Sequence, residues 1–182
     1  MSHKIFPSQQ PNEKIMLVVR EHWFLFGLKI LAIALLMSLP VVIRILMAIL
    51  GFELASDTIN SLLSVGVQLY YLGLLVALFI IWVLYYLNVH VVTDQRIVDI
   101  DQVGLLFREV SELNIETIED VTSQNIGIFG NFLNYGTVFI QTAGAAQRFE
   151  FNNVPNPGEI ASLILKLYEE HSNSKGKENP KP

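Results

Sequence analysis

Cysteine is absent from this chain of 182 residues. Without cysteine the protein cannot form a disulfide framework, a zinc–thiolate site or a cysteine nucleophile. Charge is also scarce, because 16% of the residues are charged, whereas a soluble domain carries about 25%. The shortage is concentrated between residues 24 and 87, where the charged side chains are Lys29, Arg44, Glu53 and Asp57. The length permits one domain of ordinary size together with a membrane part.

The familiar catalytic, metal-binding and phosphate-binding motifs are absent from the sequence as well. The sequence has no His-Glu-x-x-His, no Gly-x-Ser-x-Gly and no phosphate-binding loop, and its four histidines do not pair at metal-ligand spacing. These histidines are His3, His22, His90 and His171. We therefore expect no catalytic residues, no metal site and no cofactor, and we predict that the protein is not an enzyme.

An acidic group lies in the second half of the chain, and it consists of Glu112, Glu116, Glu119 and Asp120. Carboxylates at this density are compatible with a cation site. A solvated strand edge or loop is the more common explanation, and we favour it here.

The clearest apolar run covers residues 69–87, which hold nineteen residues without a charge. A helix of that length rises about 28 Å, close to the roughly 30 Å of a bilayer's hydrocarbon core. Nearly every face of this helix is apolar, which favours a membrane span over the alternative of a buried core helix in a soluble protein. We predict a transmembrane helix over residues 65–87.

A second apolar run covers residues 30–43 and is bounded by Lys29 and Arg44. Both side chains are long enough to lie along lipid while their charges reach the interface. With that extension the run predicts a transmembrane helix over residues 23–50, kinked at Pro40. A cleaved signal peptide is disfavoured, because 22 residues precede the helix and no small-residue cleavage site follows it.

The flanks of the two helices predict their orientation. Basic residues precede the first helix and follow the second, whereas the predicted loop at residues 51–64 has only acidic charges. Basic flanks stay in the cytoplasm, so we expect both termini inside and the loop outside. Amphipathic and aromatic side chains near the helix ends are the expected interface anchors. They are Trp23, Lys29, Arg44, Tyr70, Tyr71, Tyr85 and Tyr86.

From residue 88 the apolar residues alternate with polar ones, which is the pattern of half-buried strands. We predict six to seven short antiparallel strands, a loop or short helical turn at residues 126–136, and a small-residue turn at 143–146. Residues 118–125 are one candidate strand. Helical spacing then returns after Asn156 and Pro157, a favoured pair at a helix start. The predicted domain covers residues 88–171, and the polar tail at 172–182 is expected to be disordered.

The strand near residue 150 shows which side chains should face inward. Phe149 and Phe151 share one face, while Arg148 and Glu150 share the other. We expect both rings to pack in the core against Ile160 and Leu163 of the closing helix.

Three stretches taken in order resemble the bacterial pleckstrin-homology-like (bPH) domains, long catalogued as a domain of unknown function. They are TDQRIVDIDQVGLLFREVSEL, IEDVTSQNIGIFGNFLNYGTVFIQTAG and FNNVPNP. The resemblance covers about residues 87–171, and two membrane helices before one such domain is a common family arrangement. It implies a bent antiparallel sheet or partial barrel capped by the C-terminal helix, and it implies no reaction. It also implies a bacterial inner-membrane protein. Because the first predicted hairpin follows the second helix almost directly, we expect the β domain to be held against the cytoplasmic headgroups.

The charge balance limits the partners of this domain. Residues 88–182 hold seven basic and thirteen acidic side chains. An acidic domain is repelled by anionic headgroups and by nucleic acid. Arg96 and Arg108 lie on neighbouring predicted strands and are the candidate contact for a partner or for a lipid phosphate.

Our interpretation is a non-enzymatic integral membrane protein that presents the domain for protein–protein interaction or self-assembly, in envelope maintenance or stress response. Two alternatives stay open: an accessory subunit of a membrane transporter or membrane enzyme, and a sensor of lipid headgroups. The expected partners are the bilayer and either a second protein or a second copy of the chain. No nucleic acid is expected.

Overall fold

The chain folds into two compact units. A computed structural model of the protein describes residues 10, 13–51, 56–104, 106–142 and 149–178. The helical unit is Trp23–Tyr85, and the β unit combines Met1–His22 with Tyr86–Pro182.

Two long apolar helices, α1 (Trp23–Ile49) and α2 (Asp57–Leu87), make up the helical unit. Both are long enough and apolar enough to cross a membrane. Helix α2 begins eight residues before the predicted start, because Asp57 in the first turn complements the helix dipole. Much of the loop predicted at residues 51–64 is therefore helical, and residues 52–55 of it lie outside the described part.

The two helices pack side by side and antiparallel. The ring of Phe26 stacks on that of Tyr85 with the ring centroids 4.2 Å apart. Deeper in the unit, the Tyr70 hydroxyl donates a hydrogen bond to the Leu36 carbonyl at 2.7 Å. Apart from Ile33, the described side chains of this unit are not buried.

The described residues of the β unit form two antiparallel sheets. The first sheet has the strand order β1-β2-β3-β4, and the second has the order β5-β6-β7. The strands of the first sheet are β1 (Ile15–Val19), β2 (Val89–Thr93), β3 (Arg96–Val103) and β4 (Phe107–Asn114). The strands of the second are β5 (Ile118–Asn125), β6 (Tyr135–Thr142) and β7 (Phe149–Pro155).

The first strand of the β unit precedes both long helices, and the sequence pattern did not reveal it. Val19 at the end of β1 lies opposite His90 in β2. The segment IMLVV is apolar at every position, so it has no alternation to mark a strand. Its partner strand is also separated from it by α1 and α2. The described part of residues 88–171 contains six strands, which agrees with the predicted six to seven, and β1 adds a strand from outside that range.

The second half of the β unit follows the predicted elements closely. Strand β5 has the predicted bounds 118–125, and the predicted loop or helical turn contains helix α3 (Gly127–Leu133). The turn predicted at residues 143–146 lies outside the described residues. The closing helix is α4 (Pro157–Glu178), which packs against β5 and β6.

Helix α4 extends past the predicted boundary at residue 171. Residues 172–178 are helical rather than disordered, because the helix propagates at low cost once its earlier turns are fixed by packing. Leu167 provides such packing as a buried core residue. The final residues, 179–182, lie outside the described part.

Two asparagines connect the end of α3 to the start of α4. The Asn134 side chain donates a hydrogen bond to Oδ1 of Asn156 at 2.8 Å, and the Asn156 N–H donates to the Asn134 carbonyl at 2.8 Å. Both residues have positive φ angles, 53° and 48°, which asparagine tolerates better than most residues. The predicted helix start at Pro157 is confirmed.

The core of the β unit lies between the two sheets and α4. Phe151 is fully buried there, and Phe149 is half-buried against the same cluster. Ile160 is buried and Leu163 packs partly against the cluster. The predicted inward face of this strand is therefore confirmed.

Candidate functional site

A buried ion pair holds the N-terminal segment to the sheet. Glu13 lies just before β1, and Arg96 is the first residue of β3. Arg96 donates from Nε and Nη2 to the two carboxylate oxygens of Glu13, each at 2.8 Å. The Thr93 hydroxyl donates a third hydrogen bond to Glu13 at 2.9 Å. This bidentate geometry is the stronger form of a charge-assisted contact.

Burial and hydrogen bonding determine the protonation state of this pair. The Glu13 side chain is fully buried, and that of Arg96 is 15% exposed. Hydrogen bonding from Arg96 is the largest cause that lowers the pKa of Glu13 to about 2. Arg96 also bonds to Glu112, and hydrogen bonding to Glu13 raises its own pKa. Both partners are charged at neutral pH, so the pair fastens β1 to the rest of the sheet.

The structure does not bring the two predicted arginines together. Arg96 lies opposite Asn114, whereas Arg108 lies opposite Gln102 in the same hairpin. Six residues of strand separate the two positions, or about 20 Å. Arg96 is also engaged by Glu13. The hypothesis that both arginines converge on one phosphate is therefore not supported, because the antiparallel register places them at opposite ends.

Each histidine in the described part of the chain contacts a different set of residues. His22 donates its backbone N–H to the Asn153 carbonyl at 2.7 Å, and its ring stacks on Tyr135. Burial lowers the pKa of His22. His90 Nδ1 lies 2.6 Å from Asp99, and its ring stacks on Phe151.

His171 lies within hydrogen-bond distance of the Leu167 carbonyl in α4, and His3 lies outside the described residues. No group of three or more histidine, aspartate or glutamate side chains in the described part could hold a metal ion.

The predicted acidic group is spread over the surface. Glu112 bonds to Arg96, while Glu116, Glu119 and Asp120 are exposed. Asp120 accepts a hydrogen bond from the nearby Thr122 hydroxyl. A second acidic position lies near the β3–β4 turn, where burial and then the charge of Asp99 raise the pKa of Asp101.

A shallow cavity lies beside α4. Its volume is about 220 Å³, and it is lined by Glu116, Tyr168, His171 and Ser172. Small-molecule pockets usually enclose about 300–1,000 Å³. This cavity is therefore too small to define a ligand site by itself.

The predicted interface anchors occupy different depths of the two helices. Trp23 begins α1, and Tyr85 and Tyr86 lie at the end of α2. Arg20 lies over the Tyr86 ring, 5.6 Å from its centroid. Lys29 and Arg44 are exposed along α1.

Tyr70 and its neighbour Tyr71 lie well inside α2. Tyr70 is about 20 Å from the first residue of the helix and about 26 Å from the last, and it bonds to α1 at Leu36. Tyr70 is therefore a helix-pairing residue in this structure, while its predicted anchoring role stays a prediction.

Two apolar protrusions of the β unit were not predicted as functional. Leu106 in the turn between β3 and β4 and Phe107, the first residue of β4, are 87% and 71% exposed. Helix α3 carries Ile128 and Phe132, each 86% exposed. We name these four residues the apolar rim. The signal was present in IGIFGNF, where large apolar residues occupy a segment between two strands.

In the described part of the chain, seven antiparallel strands form two sheets that are closed by a C-terminal helix, which is consistent with a pleckstrin-homology-like fold. The bacterial PH domain family matches residues 23–168 of the sequence, and the chain belongs to this family. The matched segment includes both long helices as well as the strands that follow them.

Among solved structures, the chain is similar to a DUF1696 family protein with a pleckstrin-homology domain from Shewanella loihica PV-4. The identity is 14%, the TM-score is 0.37, and the alignment covers 44% of this chain and 70% of that chain. No curated protein matches the sequence.

Proposed function

We propose that the protein is a non-enzymatic membrane-anchored adaptor. Helices α1 and α2 cross the bacterial inner membrane, and the β unit in the cytoplasm makes protein–protein contacts. The pairing of β1 with β2 carries the proposal, because these strands flank the two helices in the chain. Strands of one sheet lie on one side of a membrane, so the helices between them cross it an even number of times.

The surface of the helical unit supports the membrane assignment. Large apolar side chains are exposed along both helices, from Leu28 to Leu50 and from Ile59 to Leu87. Exposed apolar surface of this extent is unfavourable in water and favourable in lipid. The basic residues that flank the helices support a cytoplasmic β unit.

The open edge of β4 supports a protein partner. Strand β4 is the last strand of its sheet, and Arg108, Glu109 and Val110 along it are exposed. An edge strand offers unpaired backbone groups to a strand of another chain. The acidic balance of residues 88–182 opposes anionic lipid as the alternative ligand of this edge.

Photo-cross-linking of the full chain in native membranes tests this function. A photoreactive amino acid at Val110 should form adducts with a protein, whereas the same group at Ser162, an exposed residue of α4, should not. Adducts with a second copy would indicate self-assembly, and adducts with a transporter would indicate an accessory subunit. Equal yields at the two positions would contradict partner binding at β4.

A further inference from the structure

The β3–β4 turn lies at the end of the first sheet where the chain passes to and from the long helices. Val89, the first residue of β2, lies opposite Ile100 in β3. Strand β3 continues beyond that pair, and the Gln102 N–H donates a hydrogen bond to Oδ1 of Asn88. Leu106 follows Gln102 by four residues, so the turn extends past the start of β2.

Helix α3 lies at the same end of the β unit. It ends two residues before Tyr135, whose ring stacks on His22 with the centroids 5.2 Å apart. His22 is the last residue of the β unit before α1, and its N–H donates to the Asn153 carbonyl. Each protrusion of the apolar rim therefore lies near a contact with a residue that adjoins α1 or α2 in the chain. These contacts are the Gln102–Asn88 hydrogen bond and the stacking of Tyr135 on His22.

The rim also stands out by exposure. Its four residues are the most exposed large apolar side chains in the described part of the β unit. The opposite end of the first sheet differs, because the Glu13–Arg96 ion pair lies there. Apolar exposure is therefore concentrated at one end of the unit.

We propose that the apolar rim inserts into the cytoplasmic leaflet of the membrane that anchors the protein, with lipid acyl chains rather than headgroups as its ligand. This inference rests on the membrane anchoring proposed above. The turn and α3 lie at the end of the β unit where the chain continues into α1 and returns from α2. Amphipathic elements that lie in this zone bury their apolar side chains about 5–10 Å below the headgroups.

Charged residues near the rim do not attract it to anionic lipid. Arg108 follows Phe107 directly, but Asp101 and Glu109 lie opposite each other on the two strands of the same hairpin. Because both signs are present, insertion should depend little on the anionic lipid content of the membrane. This independence separates acyl-chain contact from headgroup recognition.

The test uses the full chain reconstituted in vesicles and an environment-sensitive fluorophore on a single introduced cysteine. Ile128→Cys and Leu106→Cys report on the rim, and both sites are exposed enough to accept the label. Asn173→Cys in α4 is the control outside the rim, and Leu75→Cys in α2 reports independently on the membrane span. Quenching by lipids with doxyl-labelled acyl chains is measured in phosphatidylcholine alone and with added phosphatidylglycerol.

We expect the labels at Ile128, Leu106 and Leu75 to be quenched in both lipid mixtures, and the label at Asn173 to stay unquenched. Quenching at Leu75 without quenching at the two rim sites would overturn the rim insertion and leave the anchoring intact. Blue-shifted but unquenched rim labels would also overturn it, since a protein would then cover the rim. Rim quenching that requires phosphatidylglycerol would assign the contact to headgroups instead. No quenching at Leu75 would overturn the membrane anchoring itself.

Discussion

Phe151 packs at the centre of the β unit, where it is fully buried and stacks on the ring of His90 at 4.4 Å. Replacing a buried phenylalanine by alanine removes apolar contacts and leaves a cavity, at a cost of about 3–5 kcal/mol. Phe151→Ala should therefore lower the unfolding midpoint of the detergent-solubilised chain far more than Glu150→Ala, whose side chain is exposed. Equal losses for the two variants would show that the inward face has been assigned incorrectly.

Ionisation of Glu13 makes the stability of the β unit depend on pH. Its pKa in the folded protein is about 2, below the ordinary value of 4.5. A lowered pKa stabilises the fold above pH 4.5, and the stabilisation is lost as the pH falls towards 2. The difference corresponds to about 3 kcal/mol.

Glu13→Gln should therefore be less stable than the native chain at pH 7. The difference in the free energy of unfolding between the two should shrink as the pH falls from 5 to 2. Chemical unfolding at several pH values measures this difference. Glu170→Gln is the control, because its contact with Lys166 is exposed and 4.0 Å long. A difference in the free energy of unfolding that does not change with pH would argue against an ionised Glu13 in the folded state.

At the level of elements, β6 lies close against β5 at Gly136. A Cβ at this position would lie 2.1 Å from the carbonyl oxygen of Gln124. Overpacking costs about 1–3 kcal/mol, and backbone atoms cannot move aside as a flexible side chain can. Gly136→Ala should therefore destabilise the second sheet, as measured by unfolding and by faster hydrogen exchange in β6.

Gly158→Ala serves as the matched control for this prediction. Gly158 lies in the first turn of α4, and apart from its chain neighbours and the backbone of the helix no described atom lies within 4 Å of the place that a Cβ would occupy there. Alanine favours helix over glycine by about 1 kcal/mol, so this variant should be neutral or stabilised. Similar destabilisation of both variants would contradict the close approach of β5 and β6.

Elements with a local signal could be predicted from the sequence, and elements defined by distant partners could not. Strand β5 and the start of α4 at Pro157 follow from local alternation and turn chemistry. Strand β1 depends on pairing with β2, and no local pattern encodes that pairing. The same limit applies to the site: Arg96 was identified as a candidate, but its partner Glu13 is 83 residues away.

At the scale of the whole molecule, we predict the side of the membrane on which each part of the chain lies. The chain has no native cysteine, so single introduced cysteines can be labelled without background. Ser56→Cys lies between the two helices and should react with an impermeant reagent added to intact cells. Asn173→Cys in α4 should react only after the cells are opened. Labelling of Asn173→Cys in intact cells would refute the arrangement with both termini in the cytoplasm.

The position of β1 before the helices has a consequence for synthesis. The ribosome makes β1 first, and 69 further residues separate Val19 from Val89 before the partner strand exists. If only one helix entered the bilayer, β1 and β2 would be left on opposite sides, and Glu13 would have no Arg96 to bind. If the two helices span the membrane as we propose, the sheet can close only after both of them have inserted. In that arrangement a failed insertion would leave an unpaired strand and an incomplete core for proteases, so closure of the sheet would report that membrane integration had succeeded.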